Sequence, residues 1–497
     1  MTLIEQFNNI NNKLKNYNQG LIALHQANSD ENQMKYDNLV LLMNALKLPN
    51  SGAVVIEFNA PYNGTILYKT NSIGYYTINN NLFNKISMPT GDNQSINLTN
   101  KGANKITIVC LELTMLNLTN CGLKTMPDFH TFIHLEKLYL KGNTNIGAAL
   151  NAINGTNNLL PTSLTFLDLN NCGLTAMPSF SSFSNLANLY LGNNLISSII
   201  TTNLPPTETL RLLDLQYCSL TAMPDFRTFT KLYDLNLTDN PLIGASFTTI
   251  ETVQAAINRL PTSLTYLYLT NCGLKTMPDF RTFSILAELN LTDNPFIGAS
   301  FTNAADTVQA AINRLPTSLT KLYLTNCSLT AMPDFRGFSN LSSLALSYNP
   351  LIGASFTNAA ETLQAAINTL PTSLTVLYLT NCSLTAMPNF STFSNLAELA
   401  LSINPLIGGS FTIDKVPTSL TLLSMRDCGL TTIPDLRTFN QLAFISLRYN
   451  NIPADTLLDS RNFLPTIGGD IYIIQQNNNV LLDEPIGDAK GNWNYLQ

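Results

Sequence analysis

Cysteine is the residue type here whose placement most suggests chemistry. Of eight cysteines, seven (Cys121, Cys172, Cys218, Cys272, Cys327, Cys382 and Cys428) recur at one place in a repeated phrase typified by Leu264-Thr-Tyr-Leu-Tyr-Leu-Thr-Asn-Cys272. A thiol reacts as the thiolate, which requires exposure and an electropositive neighbour, whereas this phrase is apolar and predicts burial. If successive copies stack as strands roughly 4.8 Å apart, cysteines on alternate copies lie about 10 Å apart, beyond the ~7 Å Cα limit for a disulfide. The seven are therefore expected as inert, reduced thiols. Cys110, eleven residues before Cys121, stands outside the phrase, and the sequence leaves its pairing open.

The remaining candidates are sparse. His25, His130 and His134 are the only histidines. His130 and His134 have i, i+4 spacing, but they fall in a Pro-Asp-Phe-x-x-Phe segment where other copies carry Arg227 or Arg281 and Lys231 or Ile285. No metal site is expected there. Asp225/Arg227, Asp279/Arg281 and Asp334/Arg336 read as a surface charge ladder of small energetic weight. Asn-Leu-Thr at Asn117, Asn236 and Asn290 matches the glycosylation pattern, but it is generated by the repeat and lacks a secretory context. With no nucleophile beside a base, neither catalysis nor a cofactor is expected.

The elements that would position these residues are short strands in a long repeat. Fourteen copies of Leu-x-x-Leu-x-Leu begin at Leu113, Leu135, Leu164, Leu186, Leu210, Leu232, Leu264, Leu286, Leu319, Leu341, Leu374, Leu396, Leu420 and Leu442. Steps from a cysteine copy are 22 residues, and the return steps are 29, 24, 32, 33, 33 and 24. Two kinds of coil alternate, and only one varies in length. The full phrase, Leu-x-x-Leu-x-Leu-x-x-Asn/Cys-x-Leu, resembles the leucine-rich repeat family. That resemblance implies an α/β solenoid with a parallel sheet on its concave face.

Within each strand, leucines such as Leu264, Leu267 and Leu269 point inward and their neighbours point to solvent. One coil cannot bury its own leucines, so stability comes from stacking and the ends need caps. Asn after the strand is expected to bond turn backbone inside the coil. In short coils Met277, Pro278, Phe280 and Phe283 fill the back. In long coils Val308, Ala311, Ile312 and Leu315, ended by Pro316, predict a helix. That helix is expected to shorten or vanish in the coils from Leu186 and Leu396.

The ends differ from the middle. Residues 1–50 carry Leu3, Phe7, Ile10, Leu14, Tyr17, Leu21 and Leu24 at 4-3 spacing, followed by Tyr36, Leu39, Met43 and Leu46. This is a coiled-coil seam, read either as an oligomerising or attaching stalk or as a helical hairpin lying on the next unit. Residues 51–108 read as a small β cap with strands at Val54–Phe58, Thr65–Tyr68, Tyr75–Ile78 and Ile96–Leu98, residues 109–467 as the solenoid, and 468–497 as a C-terminal cap holding Trp493.

Charged residues make up 12% of the chain and the net charge is -6, so no cationic stripe for nucleic acid is expected. No apolar run predicts membrane insertion, and no signal peptide is evident. On the concave face the reading singles out Tyr139, Asp168, Tyr190, Asp214, Tyr266, Tyr268, Tyr323 and Tyr378, because rigid aromatic faces beside hydrogen-bonding groups suit recognition. The expected role is non-catalytic recognition of a host-surface glycan or protein. In combination with a stalk that associates copies or docks to a larger particle, the chain resembles a virion adhesin of the phage tail-fibre or receptor-binding type, placed on the virion or the outer face of a particle. A cytoplasmic protein-binding scaffold or effector and a bacterial surface adhesin are the alternatives.

Overall fold

The computed structural model describes residues 52–495 apart from 63, 73, 80–85, 100, 111, 152–158, 246–249, 300–303, 355–358, 454–462, 464–469 and 473–493. The seam from Leu3 to Leu24 and the segment around Trp493 lie outside the described residues.

Alternation of buried and solvent-facing residues sets the strands. β1 (Gly52–Tyr62), β3 (Gly74–Ile78), β4 (Ile86–Met88) and β6 (Ala103–Cys110) form an antiparallel sheet in the order β1-β6-β3-β4. β2 (Thr65–Thr70) pairs antiparallel with both β5 (Gly91–Asn97) and β7 (Leu113–Asn117), so the cap is hydrogen-bonded directly to the first coil. Val54, Ile56, Ile66, Tyr68, Ile96, Ile106 and Ile108 are buried between these strands. The sequence reading had no strand at β4 or β6, although β6 alternates from Ile106 onward, burying Ile106, Ile108 and Cys110.

From β7 onward the strands are parallel and in register. They run as three-residue strands from Lys137–Tyr139 through Phe444–Ser446, then Asp470–Tyr472 and Asn494–Tyr495. Among the described residues β5 and Asn494–Tyr495 each have one partner, so the pairings form an open ladder with two edges and not a closed barrel. The central residue of every repeat strand, Leu267 among them, is wholly buried.

The back of each coil follows from its sequence. Phe280 and Phe283 pack with ring centroids 5.8 Å apart, and Met277 is buried beside them. Helices at Ile250–Ile257, Ala304–Ile312 and Ala359–Ile367 occupy the longest coils, with Val308, Ala311, Ile312 and Leu315 inward. The two shorter coils carry only 3-10 turns, at Thr201–Asn203 and at Gly408–Ser410 with Ile413–Lys415, as the lengths predict. Among the described residues no helix is long and apolar enough to cross a membrane.

Asn and Cys alternate as complementary parts of one internal ladder. Cys272 N donates to Asn294 Oδ1 (3.2 Å), while Cys272 Sγ donates to Leu237 O of the preceding coil (3.1 Å). All eight cysteines are free and buried. Cys110 sits in the cap, with its sulfur 3.0 Å from Thr70 Oγ1. Burial pushes the Cys272 thiol up to about 12. A fast thiol titration at neutral pH should therefore find no reactive ladder cysteine in the native protein and all seven after denaturation. Equal fast counts before and after would contradict the interior placement.

Candidate functional site

The outward face of the parallel ladder is built from the first and third residues of each strand. Tyr139, Tyr190, Tyr266, Tyr268, Tyr323 and Tyr378 stand there half-buried. Register places Asp168, Tyr190 and Asp214 side by side on successive strands. Asp234, Tyr266, Glu288 and Lys321 form a second such row. Each tyrosine of these rows thus lies between carboxylates.

Two residues singled out from sequence serve the fold more than a ligand. Asp214 is 5% exposed, and its oxygens accept from Gln216 N and Gln216 Nε2, both at 3.1 Å. Asp168 Oδ1 accepts from Asn170 N at 3.0 Å. Asn117, Asn236 and Asn290 make the same bond to the amides of Thr119, Thr238 and Thr292. A short side-chain acceptor here closes the turn that leaves the strand. The expectation that Asp168 and Asp214 are recognition residues is corrected: with the three asparagines they form a column of turn-closing acceptors. Ala345 and Ser446, at the same strand position, are buried.

The structure adds a residue the sequence reading passed over. Phe166 lies between Tyr139 and Tyr190, with ring centroids 4.6 and 5.1 Å away, which makes a continuous aromatic run across three strands. Its signal was the spacing to Asp168, two residues on and therefore on the same face. Tyr233 and Tyr266 meet edge-on at 6.2 Å. Tyr378 donates to Glu398, and Lys321 Nζ lies 3.1 Å from Glu288 Oε2.

Burial, with Asp214 and Glu288 nearby, pushes Asp234 up to about 6. Tyr190 and Tyr268 are raised by burial first and then by neighbouring carboxylates. Because the folded value of Asp234 lies above the unfolded one, its favourable contribution is complete below about pH 4 and is lost as pH rises through about 6. Asp234→Asn should therefore stabilise the protein near pH 7.5 by about 1 kcal/mol, allowing for solvent screening, and by nothing near pH 3.5. Unfolding midpoints that shift equally at both values would remove the electrostatic account.

Elsewhere the groups with chemical potential are dispersed. His130 Nδ1 contacts Asp128 on its own coil, and His134 lines an open cleft with Asn71, Glu112 and Glu136. Among the described residues no three His, Cys, Asp or Glu side chains are placed to hold a metal ion. The Asp225/Arg227, Asp279/Arg281 and Asp334/Arg336 pairs form within their own coils, and Asp435/Arg437 adds a fourth. The guanidinium beside each carboxylate lowers it, to about 2 at Asp435.

Comparison with known proteins agrees with this architecture. Residues 162–206 match the family described as Leucine Rich repeats, two copies. Lumican of Mus musculus is 30% identical over 195 residues, covering 32% of this chain and 57% of lumican, and the Rattus norvegicus protein matches to the same extent. The chain thus spans little more than half the length of these relatives. Among solved structures, the functional domain of InlJ from Listeria monocytogenes, which includes a cysteine ladder, is 18% identical with a TM-score of 0.42, covering 76% of this chain and 77% of that one. A leucine-rich repeat protein of Leptospira interrogans is 22% identical with a TM-score of 0.42, covering 71% and 88%. YopM from Yersinia enterocolitica is 20% identical with a TM-score of 0.39, covering 73% and 78%.

Proposed function

We propose that this leucine-rich repeat protein is a non-catalytic recognition protein whose ligand lies on the outward face of the parallel sheet. The observation that carries the reading is the aromatic run Tyr139–Phe166–Tyr190, continued along the ladder by Tyr266 and Tyr268 beside Asp234 and Glu288. Flat, half-buried rings give contact area with few rotamers to freeze, and adjacent carboxylates give direction to hydrogen bonds. A polar surface of another protein, or a glycan, fits that chemistry.

The finer reading is an adhesin of the virion type, in which the sheet face engages a host-surface ligand and residues 1–50 attach the chain to a larger particle or to other copies. It is supported by the low charge of the chain and by the apolar 4-3 spacing from Leu3 to Leu24. An intracellular protein-binding scaffold uses the same face on a different partner.

The test is replacement of Tyr268, Tyr323 and Tyr378 together by Ala in the full chain. Binding to ligand-bearing cells, or to an array of glycans and surface proteins, should fall at least about 10-fold, since each lost anchor removes of the order of 1 kcal/mol or more. The unfolding midpoint should change little by comparison with a core truncation. Retained binding by a folded triple variant would take the ligand off the Tyr268–Tyr378 stretch, and retained binding after the same replacement at Tyr139, Phe166 and Tyr190 would take it off this face.

A further inference from the structure

Away from the sheet face, the long coils expose a regular row of large apolar side chains. Leu195, Leu242, Phe296, Leu351 and Leu406 are 66, 48, 57, 49 and 62% exposed, and each directly precedes a wholly buried isoleucine (Ile196, Ile243, Ile297, Ile352 and Ile407). Burial of the isoleucine fixes the turn, so its neighbour is carried out to solvent at the same place in each coil. The corresponding residues in the first and last long coils are the polar Asn145 and Asn451, so the row has two ends. In the short coils between its members stand Ser219, Gly273, Ser328 and Ser383, small residues at left-handed φ. The result is a ridge of knobs separated by gaps. Tyr348 adds an exposed ring three residues before Leu351.

Isolated exposed leucines are ordinary, whereas five large apolar side chains at the same place in successive long coils form a row that an elongated partner can span. Its period identifies what fits it. Knobs recur every second coil, about 9.6 Å apart at the strand spacing of a parallel sheet. The chain itself holds a segment of nearly that period: Leu3, Ile10, Tyr17 and Leu24 are seven residues apart, which is about 10.5 Å along a helix. Phe7, Leu14 and Leu21 fall between them, where the ridge has its gaps.

We propose that residues 3–24 dock along this ridge of the same chain, one apolar heptad to each pair of coils. The tether permits it. Residues 25–51 can reach up to about 90 Å when extended, and the far end of the ridge, at Leu406, lies eleven strands beyond β7, about 53 Å along the stack. A tethered segment acts at a high effective concentration, which favours the chain's own copy over another's. The proposal does not depend on what the sheet face binds, and it replaces the reading in which residues 1–50 attach the chain to other copies or to a particle.

Limited trypsin digestion of the full chain tests it through cleavage at Lys13 and Lys15, compared with a variant carrying Leu242→Gln, Phe296→Gln and Leu351→Gln. Native protein should be cut at least 10-fold more slowly than the variant, and both should be monomeric by light scattering. The ridge positions are exposed, so the unfolding midpoint of the variant should hold. Should the variant fail to fold, Ile10→Gln with Tyr17→Gln makes the same comparison from the other side of the contact and should speed cleavage equally. Cleavage unaffected by these substitutions would overturn the proposal. So would protection accompanied by a dimeric mass and lost on dilution, since the occupant would then be a second copy.

Discussion

Gly298→Ala should be among the most damaging single substitutions in the solenoid, although it adds one methyl group. A Cβ at Gly298 would stand 2.0 Å from Ser328 O, 2.3 Å from Ser328 C and 2.6 Å from Cys327 O. All three are backbone atoms, so no side chain can turn aside. The Gly298 amide also donates to Cys327 O at 2.9 Å, and moving the coils apart to admit a methyl group would break that bond. Overpacking ordinarily costs roughly 1–3 kcal/mol, and the unyielding surroundings place this site at or above the upper end of that range. Gly337→Ala is the control, because nothing lies within 4 Å of its added carbon. Urea midpoints that fall together for the two variants would mean that the close approach between coils does not limit stability.

This glycine shows where sequence reading stops. The strand leucines were legible because inward and outward residues alternate with period two, and the long-coil helices because Val308, Ala311, Ile312 and Leu315 recur at helical spacing. Gly298 carries no such pattern. Its role arises from backbone approach between two coils, which depends on how they stack. Leu242 misleads for a related reason: the repeat places an apolar core residue just after Asn-x, yet Pro241 and a short helix at Leu242–Ala245 move the buried position on to Ile243. On the sheet face, the tyrosines were legible as solvent-facing strand residues. The turn-closing bonds of Asp168 and Asp214 were not, since a carboxylate in that column looks the same from sequence whether it faces a ligand or the amide two residues on. Phe166 shares the first strand position with Tyr266, but a lone phenylalanine there carries no hydrogen-bonding group, and only the stacking of coils shows it between Tyr139 and Tyr190.

Asn294→Ala is the second large effect, and it separates the polar ladder from the apolar core as a source of stability. Asn294 is wholly buried. Its Oδ1 accepts from Cys272 N and Leu274 N at 3.2 and 3.0 Å, and its Nδ2 donates to Leu269 O and Leu291 O at 2.9 and 2.8 Å. One side chain thus satisfies backbone groups on two coils that have no strand or helix partner at these points. Alanine would leave Cys272 N, Leu274 N and Leu269 O without it, while Leu291 O keeps the Cys327 thiol at 3.2 Å, and each unsatisfied buried group costs about 1–3 kcal/mol. Partial relaxation and entry of water reduce the sum, giving an expected loss of about 3–5 kcal/mol. Leu267→Ala, which removes a buried apolar side chain from a neighbouring coil, should cost about 2–5 kcal/mol. The two variants should differ in how they unfold. A solenoid is stabilised by contacts between adjacent coils, and Asn294 bonds across one such junction near the middle of the stack. Loss of that junction should broaden the urea transition or split it into two, whereas Leu267→Ala should mainly lower the midpoint. A single, equally sharp transition at the native midpoint for Asn294→Ala would mean that turn backbone at this junction finds other partners, and that the asparagine ladder follows from the repeat without holding its coils together.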